Sequence, residues 1–419
     1  ATRYSKAPPT CRSRSRNKGG RRVSVTVRSG LSLVHGGALE DEPGIGALTI
    51  AAYLAEVVAK NGAREAVILN TGGERIVWSY TDLLDRSREV ARALIASGLA
   101  KGERVGILMT NRPEFLSSLF GTAMAGGVAV ALSTFSTAEE LDHLISASDI
   151  SILLFEEKVL KKDFRAMIAE AEPAIGTAKP GAIASARYPF LSRIVALGGV
   201  PGDEHTPVAE GAVELWEEFL AGGKAISDAI VESRAARVGP ADPGGIFFSS
   251  GTTSLPKGIA HDQRAFAIQW WRWHRIFCMA EPVRSWTGNG FFWSGNVSMV
   301  VGTAFSTGGA IVLQRYFDAE EALRLMEVER VTFANGRPHQ WARLQAADGW
   351  SGADLSSLKY VPRGELIYDH PTVDTEWRVP MSFGTTETMT IVTAMTADTP
   401  LDDYQGSFGK VLPGNILKI

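Results

Sequence analysis

The sequence has few cysteines and no long apolar run. Only Cys11 and Cys278 are cysteines among 419 residues, which excludes a disulfide scaffold and a four-cysteine zinc site. The two thiols lie in unrelated sequence contexts, so we expect a reducing compartment and predict a cytoplasmic location. No stretch of about 18 purely apolar residues occurs, so we predict no transmembrane segment. No His, Cys and Asp cluster has the spacing of a metal site.

Acidic residues are missing from the start of the chain. Residues 1–39 contain nine Lys or Arg and no Asp or Glu, so all 46 acidic residues lie in the remainder. An acidic body of this kind predicts no nucleic-acid partner. We interpret residues 1–46 as a basic, disordered tail and residues 47–419 as the folded unit. Two alternatives stay open: an Arg- and Ser-rich organelle transit peptide, or residues that are not native to the protein.

From about residue 47 onward, short apolar runs alternate with longer amphipathic segments. Ser79 and Asp82 have the spacing of a capping box at a helix start, and Pro113 and Asp318 begin two further predicted helices. This alternation predicts an α/β fold of parallel-rich sheets covered by helices. Segments 170–186 and 199–224 are predicted to be surface connections. The predicted strands are Arg104–Met109, Gly127–Leu132, Ser151–Phe155, Gly245–Phe248, Ala310–Leu313 and Val331–Ala334.

The most informative segment is an apolar strand that runs into a loop of hydroxyl-bearing and glycine residues. Such a loop presents backbone N–H groups and hydroxyls with little bulk, which suits the many acceptor oxygens of a polyphosphate. Lys257 adds a positive charge after Pro256, whose ring fixes the backbone. The order Pro-Lys-Gly excludes the common P-loop, which requires Gly-Lys-Ser/Thr. The predicted phosphate-binding residues are Ser249, Ser250, Gly251, Thr252, Thr253, Ser254 and Lys257.

This segment resembles the signature of the adenylate-forming superfamily, which includes acyl-CoA synthetases, nonribosomal adenylation domains and firefly luciferase. The chain departs from the usual pattern once, with Ser254 in place of the last loop glycine. The resemblance implies a multi-subdomain adenylate-forming large domain over residues 47–419. It also implies that the chain is incomplete at its C-terminal end and lacks the lid domain, because the family's Thr-Gly-Asp segment and the lid's Lys do not occur in it.

A second segment, Ser382–Glu387, resembles the family's aromatic-Gly-x-Thr-Glu motif. The resemblance implies that Phe383 stacks on adenine, that Gly384 belongs to the nucleotide site, and that Thr386 contacts the phosphates. It implies further that Glu387 holds Mg²⁺, and a hard dication does prefer oxygen ligands. Lys257, Thr386 and Glu387 are therefore the predicted catalytic residues.

Weaker matches accompany these two motifs in the order that the family shows. Gly364 and Glu365 resemble a turn that lines the adenine pocket, with Arg363 in place of a usual glycine. Met381 stands where the family often has a polar amide that contacts adenine, and its thioether side chain cannot make the same amide contact. The remaining matches are Trp78–Tyr80, Gly102–Val105 and Gly406–Gly414.

Aromatic residues cluster in the middle of the chain. Phe291–Gly295 falls where the family has an aromatic-His-x-x-Gly segment near the acyl pocket, with Trp293 in place of the His. Trp270, Trp271 and Trp273 form a second cluster, beside His274. They are interpreted as a packed aromatic core, with the wall of an apolar carboxylate pocket as the alternative. His261 and His339 are interpreted as ordinary polar residues.

The resemblance implies an ATP-dependent ligase that converts a carboxylic acid, first of all a fatty acid, into an acyl-adenylate and then transfers it to coenzyme A. We expect ATP, Mg²⁺ and coenzyme A as reactants and cofactors. We expect low activity of the chain without the lid. A homodimer is left open. Two alternatives remain: an adenylation domain that loads an aryl or amino acid onto a carrier-protein thiol, and a nucleotide-binding pseudoenzyme. We identify no Ser-His-Asp or Cys-His order in the sequence that would indicate a nucleophilic side chain.

Overall fold

The computed structural model describes residues 26–28, 31–42, 44–203, 205–249, 255–362, 364–403 and 406–418. Residues 1–25 of the predicted tail, and Ser250, Gly251, Thr252, Thr253, Ser254 and Arg363 of the predicted site, lie outside the described residues.

Short strands and helices alternate as the sequence predicts. The strands are β1 (Thr26–Arg28), β2 (Leu31–His35), β3 (Glu65–Thr71), β4 (Glu74–Ser79), β5 (Arg104–Leu108), β6 (Val128–Ala131), β7 (Ile150–Phe155), β8 (Lys158–Val159), β9 (Lys162–Asp163), β10 (Arg193–Ala196), β11 (Val213–Leu215), β12 (Pro243–Ser249), β13 (Lys257–Asp262), β14 (Arg284–Thr287), β15 (Ala310–Leu313), β16 (Phe333–Asn335), β17 (Ser382–Thr385), β18 (Thr390–Ala394), β19 (Lys410–Val411) and β20 (Ile416–Lys418). All six strands predicted from the sequence are present, with ends that differ by one or two residues.

The helices lie between these strands. They are α1 (Ile50–Asn61), α2 (Tyr80–Ala96), α3 (Pro113–Ala125), α4 (Ala138–Ser148), α5 (Phe164–Ala171), α6 (Trp216–Gly222), α7 (Asp228–Ala235), α8 (Gln263–Ile276), α9 (Ser294–Asn296), α10 (Gly302–Thr307), α11 (Ala319–Val328) and α12 (Pro338–Gln345). A π-helical turn, Val297–Val301, joins α9 to α10. Turns of 3₁₀ helix span Leu39–Asp41, Pro173–Gly176, Gly223–Ala225, Trp350–Gly352, Leu366–Asp369, Thr386–Thr388 and Leu401–Asp403.

The predicted helix starts are confirmed by their capping contacts. The Ser79 hydroxyl accepts from the Asp82 backbone N–H at 3.1 Å, and the Asp82 carboxylate accepts from the Ser79 N–H at 2.8 Å. These reciprocal bonds satisfy backbone N–H groups that have no partner inside α2. Asp318 caps α11 in the same position by accepting from the Glu321 N–H at 2.9 Å. Pro113 is the first residue of α3, where its missing N–H removes no helical hydrogen bond.

Two sheets with mostly parallel strands form the centre of the molecule. The larger has the order β11-β10-β7-β5-β6-β12-β13, and its strands are parallel except for the antiparallel edge strand β13. The smaller has the order β16-β14-β15-β3-β4, parallel apart from the β3–β4 hairpin at one edge. The carboxyl ends of parallel strands meet at one edge of a sheet, which is where ligands bind in open α/β folds.

One hydrophobic core connects the two sheets. It contains Val105 of β5 and Phe247 of β12 from the larger sheet, and Val67 of β3 and Ile311 of β15 from the smaller sheet. Helix α3 is buried on nearly all of its faces within this core. Because both sheets share the core, their strand ends are held in a fixed relation, and the loops beyond them can form one site.

Two sequence predictions need correction. Strand β2 (Leu31–His35) pairs with β20 (Ile416–Lys418), so this part of the predicted disordered tail is folded; Leu33 and Val34 are half-buried there. Segment 199–224 also carries regular structure, because β11 joins the larger sheet and α6 buries Trp216 and Phe219. In the described part of the chain, no helix has the length and apolar character needed to cross a bilayer.

Candidate functional site

The predicted phosphate loop connects two paired strands. Strand β12 lies parallel to β6 and antiparallel to β13, with Ser249 opposite Lys257 in the register. Lys257 is exposed and Ser249 is half-buried at the open end of this hairpin. The loop therefore leaves the larger sheet at the carboxyl end of β12, on the edge where ligands are expected. The positions of Ser249 and Lys257 are described, whereas those of residues 250–254 are not.

His143 on α4 contacts the hairpin from the other side. Its Nε2 lies 2.9 Å from the Pro256 carbonyl oxygen. A proline carbonyl can only accept, so the Nε2–H must donate, which fixes the imidazole tautomer. This bond holds the backbone directly before Lys257. Sequence reasoning missed His143, since nothing in its local pattern connects it to a residue more than a hundred positions away.

The second predicted motif lies next to the hairpin. Strand β17 leads into the 3₁₀ turn Thr386–Thr388, which packs against β12 and β13. The Glu387 carboxylate is exposed, and its pKa lies below the ordinary value. The largest cause is a hydrogen bond from its own backbone N–H, followed by one from the Thr385 hydroxyl, with further contributions from His261 and Lys257. The structure thus brings Lys257 and Glu387, predicted from separate motifs, into one electrostatic environment.

His261 lies beneath this turn. Its side chain is buried, and its Nε2 has no hydrogen-bond partner in the described part of the chain. The ring packs against Phe247 and Phe266, with centroids 6.1 and 6.4 Å away. Burial lowers the pKa of His261, opposed by Asp262, the Thr386 backbone and Glu387. The imidazole is therefore neutral near pH 7 and supports the Thr386–Thr388 turn from inside; the sequence did not reveal this position.

The aromatic residue of the second motif faces solvent. Phe383 is 47% exposed and its ring lies edge-on to Phe408, with centroids 6.3 Å apart. An exposed ring at the side of the hairpin has a free face on which a base can stack. Met381, which replaces the usual polar amide, is also exposed.

Gly364 and Glu365 lie further along the same edge of the molecule. The segment before them pairs with the smaller sheet, through a parallel bridge between Phe333 and Tyr360. Gly364 has φ +85°, a left-handed conformation that glycine adopts without strain. Among the described residues, no hydrogen bond or ion pair connects Glu365 to Lys257 or Glu387. The structure therefore places this turn beyond the end of β16 without direct contact to the charged pair.

An apolar cavity of about 430 Å³ opens at the carboxyl ends of strands from both sheets. Phe292 forms part of its wall, and its ring lies 5.1 Å from that of Phe135 and 5.6 Å from that of Trp293. Phe291 is fully buried and Trp293 is 37% exposed. The predicted Phe291–Gly295 segment thus lies beside a cavity. Its other apolar lining residues include Val159, Leu160, Tyr316 and Phe317.

Polar groups fix the floor of this cavity. The Asn111 side chain accepts from the Phe291 N–H and donates to the Asn289 carbonyl, both at 2.8 Å. Arg315, which also lines the cavity, lies 2.8 Å from the buried Glu156 carboxylate. Glu156 directly follows a predicted strand, and Asn111 and Arg315 each come two residues after one. This position was the sequence signal that could have identified them.

The tryptophan cluster belongs to the core. Trp270 and Trp273 on α8 are buried, and their indole N–H groups donate to the Val297 carbonyl and the Ser298 hydroxyl, both at 2.9 Å. The packed-core interpretation is therefore confirmed for Trp270 and Trp273, whereas Trp271 and His274 line a separate cavity of about 270 Å³. His339 is exposed on α12, as expected of an ordinary polar residue. The described residues contain no group of three or more His, Cys, Asp or Glu side chains that could hold a metal ion.

Comparison with known proteins identifies the family. A family model described as "AMP-binding enzyme" matches residues 54–419. The chain is 27% identical over 345 residues to an indoleacetate–CoA ligase of Aromatoleum aromaticum, covering 81% of this chain and 61% of that protein. It is 24% identical over 345 residues to a mitochondrial medium-chain acyl-CoA ligase of Danio rerio, covering 78% and 52%. The chain thus spans about half to two thirds of the length of these curated relatives.

Solved structures agree on the fold. The structure of the anthranilate CoA ligase AuaEII in complex with anthranoyl-AMP matches with a TM-score of 0.69 at 20% identity, covering 90% of this chain and 66% of that one. The match supports the multi-subdomain arrangement of parallel-rich sheets described above. The family model over residues 54–419 shows that the chain belongs to the AMP-binding enzyme family.

Proposed function

We propose that this protein activates a carboxylic acid with ATP and transfers the acyl group to the thiol of coenzyme A. In the first step a carboxylate oxygen attacks the α-phosphorus of ATP, pyrophosphate leaves, and an acyl-adenylate forms. In the second step the thiol attacks the acyl carbon and AMP leaves. The observation that carries the proposal is the proximity of Lys257 and Glu387 beside the hairpin that ends at Ser249.

Charge neutralisation on the triphosphate is the main physical requirement of the first step. In this proposal the Lys257 ammonium and the loop residues 249–254 bind phosphate oxygens, and Thr386 donates a hydroxyl hydrogen bond. Glu387 would hold Mg²⁺, and its exposed, ionised carboxylate suits an ion that binds proteins through one or two carboxylates plus substrate phosphates. When bound, the ion neutralises part of the phosphate charge. His143 and His261 hold the two backbone segments that present these groups.

The adenine is assigned to the exposed side of the hairpin. Phe383 offers a free ring face, and Gly384 lets the backbone approach closely because it has no side chain. Gly364 and Glu365 remain proposed members of this pocket on the strength of the resemblance alone.

The acid is assigned to the cavity beside Phe292. Its wall is mainly apolar, so the acid is proposed to have an apolar body. A fatty acid is the first candidate, and one relative is by its name a medium-chain acyl-CoA ligase. An aryl acid is the second candidate, favoured by the rings of Phe135, Phe292 and Phe317 around the cavity and by the indoleacetate and anthranilate ligases among the similar proteins.

The cellular location of the protein and the thiol that accepts the acyl group are proposed on sequence evidence. A cytoplasmic site of action follows from the two cysteines in unrelated contexts. Coenzyme A is proposed as the acceptor, with a carrier-protein thiol as the alternative, because the thiol site is assigned only by the family resemblance.

Acid-dependent exchange of pyrophosphate into ATP tests the proposal. The complete protein is assayed with a panel of fatty and aryl acids, alongside its Glu387→Gln and Lys257→Ala variants. We expect exchange with at least one apolar acid and a loss of about tenfold or more in both variants. A matched control is Lys359→Ala, which removes an exposed lysine paired with Glu281. Nucleotide binding without exchange for any acid would favour the pseudoenzyme alternative.

A further inference from the structure

The backbone directly after Glu387 is strained. Met389 has φ +47° and Thr390 has φ +87°, both in the left-handed region, and neither is a glycine. For a β-branched residue such as Thr390 this conformation is a genuine outlier. Strain of this kind persists only where the surrounding structure holds the backbone in place, and it concentrates at functional sites. The contacts that hold this segment are therefore informative.

A buried chain of hydrogen bonds reaches the Thr390 side chain. The Trp273 indole N–H donates to the Ser298 hydroxyl at 2.9 Å, and the Ser298 and Thr390 hydroxyl oxygens lie 3.1 Å apart. An indole can only donate, so the oxygen of Ser298 is its acceptor, and in the Ser298–Thr390 pair either hydroxyl can donate to the other. Trp273 and Ser298 are both buried, so water does not compete for these bonds.

The backbone on either side of Thr390 is held as well. The Thr388 hydroxyl contacts the Thr390 carbonyl at 2.8 Å and accepts from the Thr385 N–H at 2.9 Å. The Gln269 side chain donates to the Ile391 carbonyl at 2.8 Å in the buried interior. Met389 is buried in the core that joins the two sheets. Glu387 thus lies in the middle of a segment that is fixed at both ends.

Ser298 comes from an unusual part of its helix. It lies in the π-helical turn Val297–Val301, four residues after Ser294. Ser294 begins the helix two residues after Phe292, which lines the cavity. Single π-helical turns are uncommon and occur often at functional sites. The helix that begins at the cavity thus supplies the hydroxyl that reaches the segment carrying Glu387.

We propose that Ser298 and Thr390 are positioning residues for the Glu387 carboxylate. This inference rests on the proposed function, in which Glu387 holds Mg²⁺ with the ATP phosphates. Mg²⁺ demands near-ideal ligand geometry, so a carboxylate held in place binds it better than one on a relaxed loop. Loss of the Ser298–Thr390 bond lets the left-handed pair relax and moves Glu387. A purely structural role predicts instead a loss of stability with no selective effect on magnesium-dependent binding.

Calorimetric titration of the chain with ATP, at saturating Mg²⁺ and again in EDTA, separates the two roles. Thr390→Val removes the hydroxyl and keeps the β-branched shape, and Ser298→Ala removes the other partner. We expect each to raise the Kd of ATP about fivefold with Mg²⁺, as for the loss of one net hydrogen bond, and by less than about twofold in EDTA. Thr390→Ser keeps the hydroxyl and should bind like the wild type.

An equal change with and without Mg²⁺, or no change in either, would overturn the inference. If Thr390→Val does not fold, Thr390→Ala replaces it in the same two titrations. Alanine removes the hydroxyl and relieves the crowding of the β-branch. Absence of magnesium-dependent ATP binding in the wild-type chain would refute the proposed function and this inference with it. If the wild-type chain binds ATP in a magnesium-dependent way and the variants bind it equally well, the inference is refuted and the proposed function is not.

Discussion

The Glu156 carboxylate lies 2.8 Å from the Arg315 guanidinium, and this ion pair joins the ends of two different sheets. Glu156 follows β7 of the larger sheet, and Arg315 follows β15 of the smaller one. Arg112 lies 3.2 Å from the same carboxylate; Arg112 and Glu156 are almost completely buried, and Arg315 is largely buried. The pair therefore fixes the edge at which the cavity opens.

Removal of the Glu156 charge should destabilise the protein strongly. Glu156→Gln removes the carboxylate that Arg112 and Arg315 share. Each guanidinium keeps one other acidic partner, Glu114 and Asp203, so we expect a loss of about 2 kcal/mol or more. Urea unfolding measures this loss. The matched control is Glu281→Gln, which breaks the exposed Lys359–Glu281 pair and should change the free energy of unfolding by less than about 1 kcal/mol. Equal effects of the two substitutions would show that Glu156 is not the link described here.

Gly384 should not tolerate a side chain. A Cβ at this position would collide with the Thr390 carbonyl, on the strained segment that follows Glu387. Gly384→Ala is therefore expected to cost about 1–3 kcal/mol of stability and to weaken magnesium-dependent ATP binding. Thermal unfolding and titration with ATP check both effects. Gly176→Ala, where a Cβ meets nothing within 4 Å, is the control and should behave like the wild type.

His274 should make the protein sensitive to mild acid. Burial, together with the neighbouring Arg275, lowers the pKa of His274 to about 4, whereas an unfolded histidine titrates near 6.5. Between these pH values the unfolded state binds more protons, so stability falls as the pH is lowered from 7 towards 4. Urea unfolding measures this effect. When the pH is lowered from 7 to 5, the free energy of unfolding of His274→Gln should fall by about 1–2 kcal/mol less than that of the wild type. An unchanged pH dependence in His274→Gln would contradict the assignment.

The cavity wall should set the preference among acids. Phe135 lines the cavity but is 65% exposed, so Phe135→Ala is expected to leave the fold intact. Loss of this apolar contact should weaken use of the best acid about tenfold, measured as the apparent KM in pyrophosphate exchange. Phe190→Ala removes a similarly exposed ring that does not line the cavity. An effect of Phe190→Ala as large as that of Phe135→Ala would place the acid elsewhere.

The sequence predicted the elements whose signals are local. The capping residues Ser79 and Asp318 and the strand before Ser249 needed only neighbouring residues, and they are present as predicted. Contacts between distant residues left no such signal. The Ser298–Thr390 bond spans 92 positions, and strand β2 pairs with β20 at the other end of the chain. Pattern and propensity describe single elements, whereas these contacts depend on how the elements pack.

The same distinction between local signals and long-range contacts applies to the residues of the candidate site. The two motifs with Lys257 and Glu387 were found from residue order, and the structure shows that they lie together. The supporting residues His143 and His261 were missed, because a histidine in a helix or strand has no local feature that marks the backbone it contacts.

The most direct test of the central claim is a crystal structure of this chain with a nonhydrolysable ATP analogue and Mg²⁺. The account predicts that the β- and γ-phosphates lie against the hairpin between Ser249 and Lys257, with the Glu387 carboxylate on the metal ion. A triphosphate bound at another edge of the sheets, or a metal ion without contact to Glu387, would contradict it.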